Sequence, residues 1–378
     1  MILPDLSNLV LKPIIEIRER FERRVDKDFN RSVDDNKSDL VSRYRAGVSF
    51  SKGKINGQFV YQYGHDELWS EPTNMSSWRS DVLLANVTAP VEGAKVTLGR
   101  QRIRYGTERL LGVSDFNNVS YAWDGAKVSK GRLDLFGGNL GVASIPDEFL
   151  SLFGGAYNEG KTQTLAAFKH DGRGTGIDET TVSQQAILGF GRLKVDAEAA
   201  IQFGHRGDQK KLAGAGDAIV SYATTSKITV GGQLSIASGG SSGDTNRTFD
   251  QLYPGAHDKH GLMDMSGWQN IRDLGLWVQY APDKDTKLKF QFHGFGLDSA
   301  KDAWYGTNGK KNGGYLDATG SHGRDVGDEL DLGLDRKLNA HQALSAGLGV
   351  FLPGKFIRSF SGDAKDEVYG FVQWSYKF

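Results

Sequence analysis

The sequence predicts an all-β protein, a transmembrane antiparallel β-barrel of about 18 strands with short periplasmic turns and long extracellular loops. Three observations carry this prediction. Apolar and polar residues alternate with period two along most of the chain, short connections alternate with long polar ones, and the terminal Phe378 ends an apolar strand face. Exposed apolar stripes promote association in water, so these faces need lipid or a core to cover them.

Composition excludes several other classes of protein. The chain has 378 residues, with 46 basic and 46 acidic side chains, so it lacks the basic excess of a nucleic-acid binder. It has no cysteine, which rules out disulfides and thiolate metal sites. The 49 glycines and 8 prolines suit turns and crowded strand positions. No apolar stretch is long enough for a transmembrane helix, and no secretory signal is recognisable after Met1.

Individual strands are predicted from their alternation. The segment 366–378, for example, places Val368, Val372 and Trp374 on one face and Glu367, Gln373 and Lys377 on the other. In a barrel, the apolar faces contact lipid and the polar faces line the lumen. The residues expected to face lipid include Ile17, Tyr44, Phe59, Phe290, Leu332 and Trp374.

The connections separate a membrane barrel from a soluble sandwich, whose strands also alternate. The predicted short turns are 52–54, 90–93, 129–131, 158–161, 191–194, 224–227, 282–285 and 338–341. The predicted longer loops are 26–38, 65–80, 105–115, 171–178, 239–269, 298–324 and 354–365, and a connection near 206–210 is short. An even number of strands places both termini on the short-turn rim, and we expect one barrel domain over 1–378.

Two segments carry a family resemblance. The first, 96–128, contains Gly99-Arg100-Gln101, Arg109-Leu110-Leu111-Gly112, Asn117-Asn118 and Asp124-Gly125. The second, 249–278, contains Tyr-Pro, His-Gly, Met-Asp and Gln-Asn-Ile-Arg-Asp elements. Together they resemble the alginate-export family of outer-membrane porins.

That resemblance implies a barrel whose pore is lined by charge, with arginines that favour acidic sugar polymers. Arg43 and Arg102 look like matches to pore arginines of the family, and Asp115 looks like a match to a pore aspartate. Around the second segment, where the family has arginines, this chain has Ala256 and Met265.

Arg100, Arg102 and Arg104 share a strand face with Leu98 if alternation is strict. Three arginines would then face lipid, which costs about 2–4 kcal/mol each at the bilayer midplane. A β-bulge near Gly99 would return them to the lumen. Alternatively, they lie above the bilayer at the polar rim.

Further candidates lie on the polar faces of the first two strands and of a later strand. The arginines of the first two strands either contact solute or form salt bridges along the wall, with Glu16 and Glu22 as partners. Acidic positions indicate separate basic and acidic patches in the lumen. The residues predicted to line the pore are Arg18, Arg20, Arg43, Arg45, Arg100, Arg102, Arg104, Asp115, Asp196 and Glu198.

Metal sites have weaker support. His257 and His260, with Asp264 following, either ligate a metal or pack within their loop, and no third His or Cys supports a metal. The segment 26–30 opens like a calcium loop, but Arg31 stands at the position of the required glycine. We expect no cofactor beyond a weak loop-bound Ca²⁺.

Three classes of function remain: a passive channel, a barrel enzyme and an adhesin. A barrel of this size encloses an aqueous lumen, which favours the channel. The expected protein is a monomeric, non-enzymatic porin of a Gram-negative outer membrane, in contact with lipids and not with nucleic acid. It would pass hydrophilic, acidic small or oligomeric solutes. The alternative is export of an acidic exopolysaccharide such as alginate.

Overall fold

The wall of the molecule is an antiparallel sheet of 18 long strands that closes on itself. The computed structural model describes residues 8–30, 32, 35–68, 75–142, 147–361 and 364–378. The predicted fold class is confirmed.

The strands follow one another around the wall. The first nine are β1 (Val10–Val25), β2 (Lys37–Lys52), β3 (Ile55–Leu68), β4 (Met75–Val91), β5 (Ala94–Gln101), β6 (Ala122–Lys130), β7 (Leu133–Val142), β8 (Asp147–Glu159) and β9 (Thr162–Asp171). The next four are β10 (Ile177–Phe190), β11 (Leu193–Arg206), β12 (Gln209–Ala223) and β13 (Ile228–Ala237). Two short strands inside a loop follow, β14 (Ser241–Ser242) and β15 (Thr245–Asn246).

The remaining elements complete the wall and its loops. The wall strands are β16 (Ile271–Tyr280), β17 (Thr286–Gly296), β20 (Asp325–Lys337), β21 (Gln342–Pro353) and β22 (Glu367–Lys377). Between them lie a loop hairpin, β18 (Ala303–Tyr305) with β19 (Lys311–Leu316), and the helix α1 (Lys355–Ser361). No helix in the described part of the chain is long and apolar enough to cross a membrane.

The barrel closes by pairing of its first and last strands. Strand β1 pairs with β2 on one side and with β22 on the other, so that Arg18 lies opposite both Arg43 and Ser375. The backbone N–H of Phe378 donates to the carbonyl of Ile15 at 2.9 Å. Closure pairs both sides of every long strand in the described part of the chain, as a strand wall in lipid requires.

The outer face of the wall is apolar. Phe59, Phe290 and Leu332 are 47%, 54% and 49% exposed, and Tyr44 is exposed beside them in the same belt. Ile17 and Trp374 continue outward faces and are half-buried. Lipid contact accounts for this belt, because a water-soluble surface does not expose so large an apolar area.

Short turns and long loops occupy opposite rims, as predicted, because every second strand pair is joined by a tight turn. Three differences stand out. Strand β5 ends at Gln101 and β6 begins at Ala122, so the loop between them spans 102–121 and not the predicted 105–115. Strands β3 and β4 extend into the predicted loop 65–80, whose remainder, 69–74, lies outside the described residues. A connection at 143–146, also outside them, was not predicted.

The apolar core lies inside the barrel, between the wall and loops that fold inward. Its fully buried members include Leu110 and Leu111 from loop 102–121 and Phe249 and Met263 from loop 238–270. These two loops fill much of the lumen, and they position the candidate site.

Candidate functional site: a lumen crossed by two joined loops

Loops 102–121 and 238–270 meet inside the barrel, and we call their segments 108–117 and 253–263 the strap. The backbone N–H of Gly112 donates to the carbonyl of Tyr253 at 2.8 Å, and that of Tyr253 donates to Leu110 at 2.9 Å. The backbone N–H of Gly255 donates to the carbonyl of Glu108 at 2.8 Å. The strap is thus held together like a short piece of parallel sheet.

Arginines on β1 and β2 attach the strap to the wall. Arg18 and Arg43 each donate from Nη1 to the backbone carbonyl of Asp115, at 2.9 and 2.6 Å. Arg20 donates from Nη1 to the carbonyl of Phe116 at 2.7 Å, with its guanidinium 3.8 Å from the centre of that ring. The planar fork of guanidinium suits several such bonds at once.

Carboxylates neutralise part of this basic cluster. The Asp115 carboxylate lies 2.9 Å from Arg45 and 3.0 Å from Arg102, and Glu16 binds Arg43 and Arg45. Arg20 binds Glu22. Five arginines therefore meet three carboxylates, which leaves a positive excess where the strap joins the wall.

The charge state of Asp115 follows from these contacts. Burial raises the pKa of its carboxyl, but Arg45, Arg43 and Arg102 outweigh burial and hold the pKa far below the usual range. A lowered pKa means that this anchor is complete above the normal aspartate pKa and weakens only under strong acid. We expect ion selectivity measured in planar bilayers to be unchanged at this cluster between about pH 8 and pH 5, far above its titration. If selectivity does change in that range, and the change persists in Asp115→Asn, whose side chain cannot titrate, then another titratable group causes the change.

The structure corrects the prediction for Arg100. Register through β5 is continuous, with Gly99 opposite Asn86 and Arg100 opposite Ala85, so the predicted bulge near Gly99 is absent. Arg100 therefore continues the outward face of Leu98, and Asp124, 2.7 Å away, neutralises it. It does not point into the lumen. Gly99 is required because a Cβ there would lie 2.3 Å from the carbonyl oxygen of Ala85.

Arg102 and Arg104 lie beyond the end of β5, in loop 102–121, so strand alternation does not determine where their side chains point. Arg102 lies on Asp115, whereas Arg104 is 63% exposed and 3.3 Å from Glu108. Both border the large cavity on the long-loop side of the strap. Their role in lining a conducting path stays a prediction.

The predicted acidic patch lies apart from the arginines. Asp196 accepts a hydrogen bond from Gln185 at 2.9 Å, and Glu198 accepts one from Thr107 of loop 102–121 at 3.4 Å. Both are on the inward face of β11, across the lumen from β1 and β2. The structure thus brings Arg18, Arg20, Arg43, Arg45, Arg102 and Asp115 together, and leaves Asp196 and Glu198 separate.

A buried ion pair in the strap was missed by sequence reasoning. Arg109 lies 3.0 Å from Asp217 on β12, and the two side chains are 2% and 3% exposed. Arg109 also lies 3.4 Å from Nε2 of His260. The sequence shows Arg109 in a loop and Asp217 on a strand, and no local pattern connects them.

Acidic wall residues hold the other end of the strap. Asp331 accepts the backbone N–H of Leu262 at 3.0 Å, and Glu329 accepts that of Met263 at 2.8 Å. Arg24 of β1 donates to the Met263 carbonyl at 3.0 Å. The alternation of β20 indicated that these acids face the lumen, but not that they bind a loop.

The histidines of loop 238–270 have carboxylate and aromatic partners within the barrel. His257 lies 2.8 Å from Asp264 and stacks on Phe116 with 3.4 Å between ring centres, whereas His260 lies 2.9 Å from Asp273. Burial lowers the pKa of His260. No group of three or more His, Asp or Glu side chains in the described chain could hold a metal ion.

The segment proposed for calcium has other contacts. Asp26 lies 2.8 Å from Lys365, and Asp28 accepts the backbone N–H of Asn30 at 2.9 Å. Arg31, which the calcium argument also used, lies outside the described residues. Weak calcium binding stays a prediction.

Cavities lined by described residues lie on both sides of the strap. The vestibule, on the long-loop side, has a volume of about 1120 Å³. On the short-turn side, a first lower cavity of about 540 Å³ lies against β1–β6, and a second of about 490 Å³ lies across the lumen. Arg102 borders both the vestibule and the first lower cavity, whereas Thr107, His257 and Lys259 border the vestibule and the second.

The closed strand wall, its apolar belt and its loop-narrowed lumen define an outer-membrane β-barrel of the porin type. The family model for alginate export matches residues 150–371, more than half of the chain, and the protein belongs to this family. It is a protein of the Gram-negative outer membrane. No curated protein sequence matches it.

Solved structures match the fold over nearly the whole chain. OccK5 (OpdH) of Pseudomonas aeruginosa superimposes with a TM-score of 0.66 at 10% identity, over 97% of this chain and 98% of that chain. OpdO of the same species gives 0.62 at 14% identity, over 98% of each chain. OccAB3 of Acinetobacter baumannii gives 0.64 at 10% identity, over 97% of this chain and 99% of that chain. These likenesses are of fold alone.

Proposed function

We propose that the protein is a passive channel, without catalytic activity, for hydrophilic acidic solutes of small or oligomeric size. One observation carries the choice of acidic solutes. Among the described residues, the first lower cavity is bordered by Lys12, Lys95, Arg102 and Lys127 and by no carboxylate residue. Cations in a low-dielectric lumen attract anions and raise their local concentration.

Two of these cations are available to a solute. Lys127 binds Asp134 at 2.7 Å and Arg102 binds Asp115, but within the described chain neither Lys12 nor Lys95 has an ion-pair partner. Arg102 borders both the vestibule and this cavity. An anion would thus pass from Arg102 to the lysines by exchanging charge-assisted contacts. We propose that it does so without energy input, in a single barrel working as a monomer.

Reversal potentials in a salt gradient test this charge assignment. We expect an anion-selective channel whose selectivity shifts towards cations in Lys95→Glu and in Arg102→Glu, and further in the double variant. Lys130→Glu is the matched control, because Lys130 continues the outward face of Val128 at the short-turn rim and should leave selectivity unchanged. Unchanged selectivity in the double variant would remove the proposed role of both residues.

Liposome swelling tests the solute class. Acidic mono- and oligosaccharides should enter faster than neutral ones of equal size. If neither class permeates, the channel proposal is wrong.

Export of an acidic exopolysaccharide is the second candidate, and the alginate-export family model favours it. The strap argues for short solutes, because it crosses the lumen and is attached at both walls. Current blockade by uronate oligomers of increasing length separates the two. Blockade that disappears beyond a few sugar units supports small solutes, and threading of long chains supports export.

A further inference from the structure

The second lower cavity contains an aromatic side chain, Trp277, that has no part in the proposed passage of anions through the first lower cavity. The second cavity lies below the strap, and Trp277 of β16 projects into it. The indole packs against Gly231 on β13, where an added Cβ would be 2.2 Å from Cζ2 of Trp277. Glycine at 231 thus allows the indole to approach the wall closely where Trp277 borders the cavity.

Polar groups without protein partners surround Trp277. Gln279 is the next inward position on β16, and Lys287 and Asp335 are directly opposite each other on β17 and β20. Within the described chain, neither the Trp277 indole N–H nor any of these three side chains has a hydrogen bond or ion pair.

The chemistry of the four side chains suits one kind of ligand. An indole face packs against an apolar ring face, an amide and a carboxylate bond hydroxyl groups, and an ammonium pairs with a carboxylate. A pyranose that carries a carboxylate presents all three features. We propose that Trp277, Gln279, Lys287 and Asp335 form a binding subsite for a uronic-acid unit near the periplasmic opening. This rests on the proposed channel function, whose solute class it narrows.

The simpler explanation is that Lys287 and Asp335 form a cross-strand pair and that Trp277 only fills the lumen. That explanation predicts no ligand dependence. It predicts equal affinity for an acidic and a neutral trisaccharide, whereas the subsite predicts tighter binding of the acidic one.

The test uses the full-length barrel in detergent, with trigalacturonate and maltotriose as probes and calorimetry as the measurement. We expect trigalacturonate to bind more tightly than maltotriose, and Trp277→Ala to weaken its binding about tenfold, as the loss of an aromatic contact predicts. Lys287→Gln should abolish the preference for the acidic sugar. Trp374→Ala, which removes a tryptophan from the outward face of β22, is the matched control and should bind as the parent does.

Gly231→Ala provides an independent variant, because the new Cβ displaces the indole without removing it. It should weaken binding as Trp277→Ala does, and it keeps the proposal testable if Trp277→Ala does not fold. Equal affinity for the two sugars, or parent-like affinity in both variants, overturns the subsite. Ion currents measured on the same preparations separate the two proposals: current without trigalacturonate binding rejects only the subsite, and binding without permeation rejects only the channel.

Discussion

Replacing Arg18 and Arg43 together by alanine is expected to release the strap from the β1–β2 wall and to raise single-channel conductance by about twofold or more, since a barrel of this size encloses a wide aqueous lumen when nothing fills it. The two guanidinium groups both bond to the Asp115 carbonyl, and Arg43 also donates to the carbonyl of Asn117 at 3.0 Å. Their loss leaves the buried carbonyls of Asp115 and Asn117 without these donors, at a cost of about 1–3 kcal/mol for each unsatisfied group, whereas Glu16 keeps its ion pair with Arg45.

Planar-bilayer recording of single channels measures the conductance, and protease cleavage within 108–117 reports release of the strap. Arg23→Ala is the matched control, because Arg23 lies on the outward face of β1 and donates to Ser38. Lysine at both positions should restore part of the anchor through its charge, but not the forked bonds. Parent-like conductance and cleavage in the double alanine variant would show that the strap stays docked without these arginines.

The wall strands were predictable because their signal is local. Period-two alternation places residues such as Phe290 and Leu332 outward and Asp331 inward, whatever the rest of the chain does. The turn residues then fix which strands are neighbours. Alternation failed where a strand stops: Arg102 and Arg104 follow Gln101, the last wall residue of β5, and their positions depend on loop contacts.

The contacts of the strap were not predictable, because they are not local in sequence. Its contacts join residues far apart in sequence, such as Arg18 and Asp115, which are separated by 97 positions. The length of loop 239–269 predicts that it can fold into the lumen, but nothing in the sequence of 102–121 or 238–270 identifies the residues that join the two loops there. The family resemblance placed Arg43, Arg102 and Asp115 in the pore as single residues, and the structure adds that they share one cluster.

Arg109→Ala is expected to undock the strap from the opposite wall. Asp217 would keep its buried position without a cation, and breaking such a pair costs about 3–5 kcal/mol. In single-channel records, the ratio of time in high- and low-conductance states gives the equilibrium between undocked and docked straps. We expect this ratio to rise at least tenfold, since each 1.4 kcal/mol changes an equilibrium constant by about ten.

The double variant Arg109→Gln, Asp217→Asn separates the effect of leaving one buried charge unpaired from the effect of changing these side chains. It removes both charges together, so neither is left buried and alone, and the docked state should recover most of its population. Arg132→Ala is the control, because its pair with Glu159 is 59% and 58% exposed and contributes little. If Arg109→Ala and the double variant open equally often, the ion pair is not what docks the strap. If only Arg109→Ala raises the time spent in the high-conductance state, the ion pair keeps the strap docked at the wall that borders the second lower cavity. The uronate subsite in that cavity should then be more accessible in Arg109→Ala.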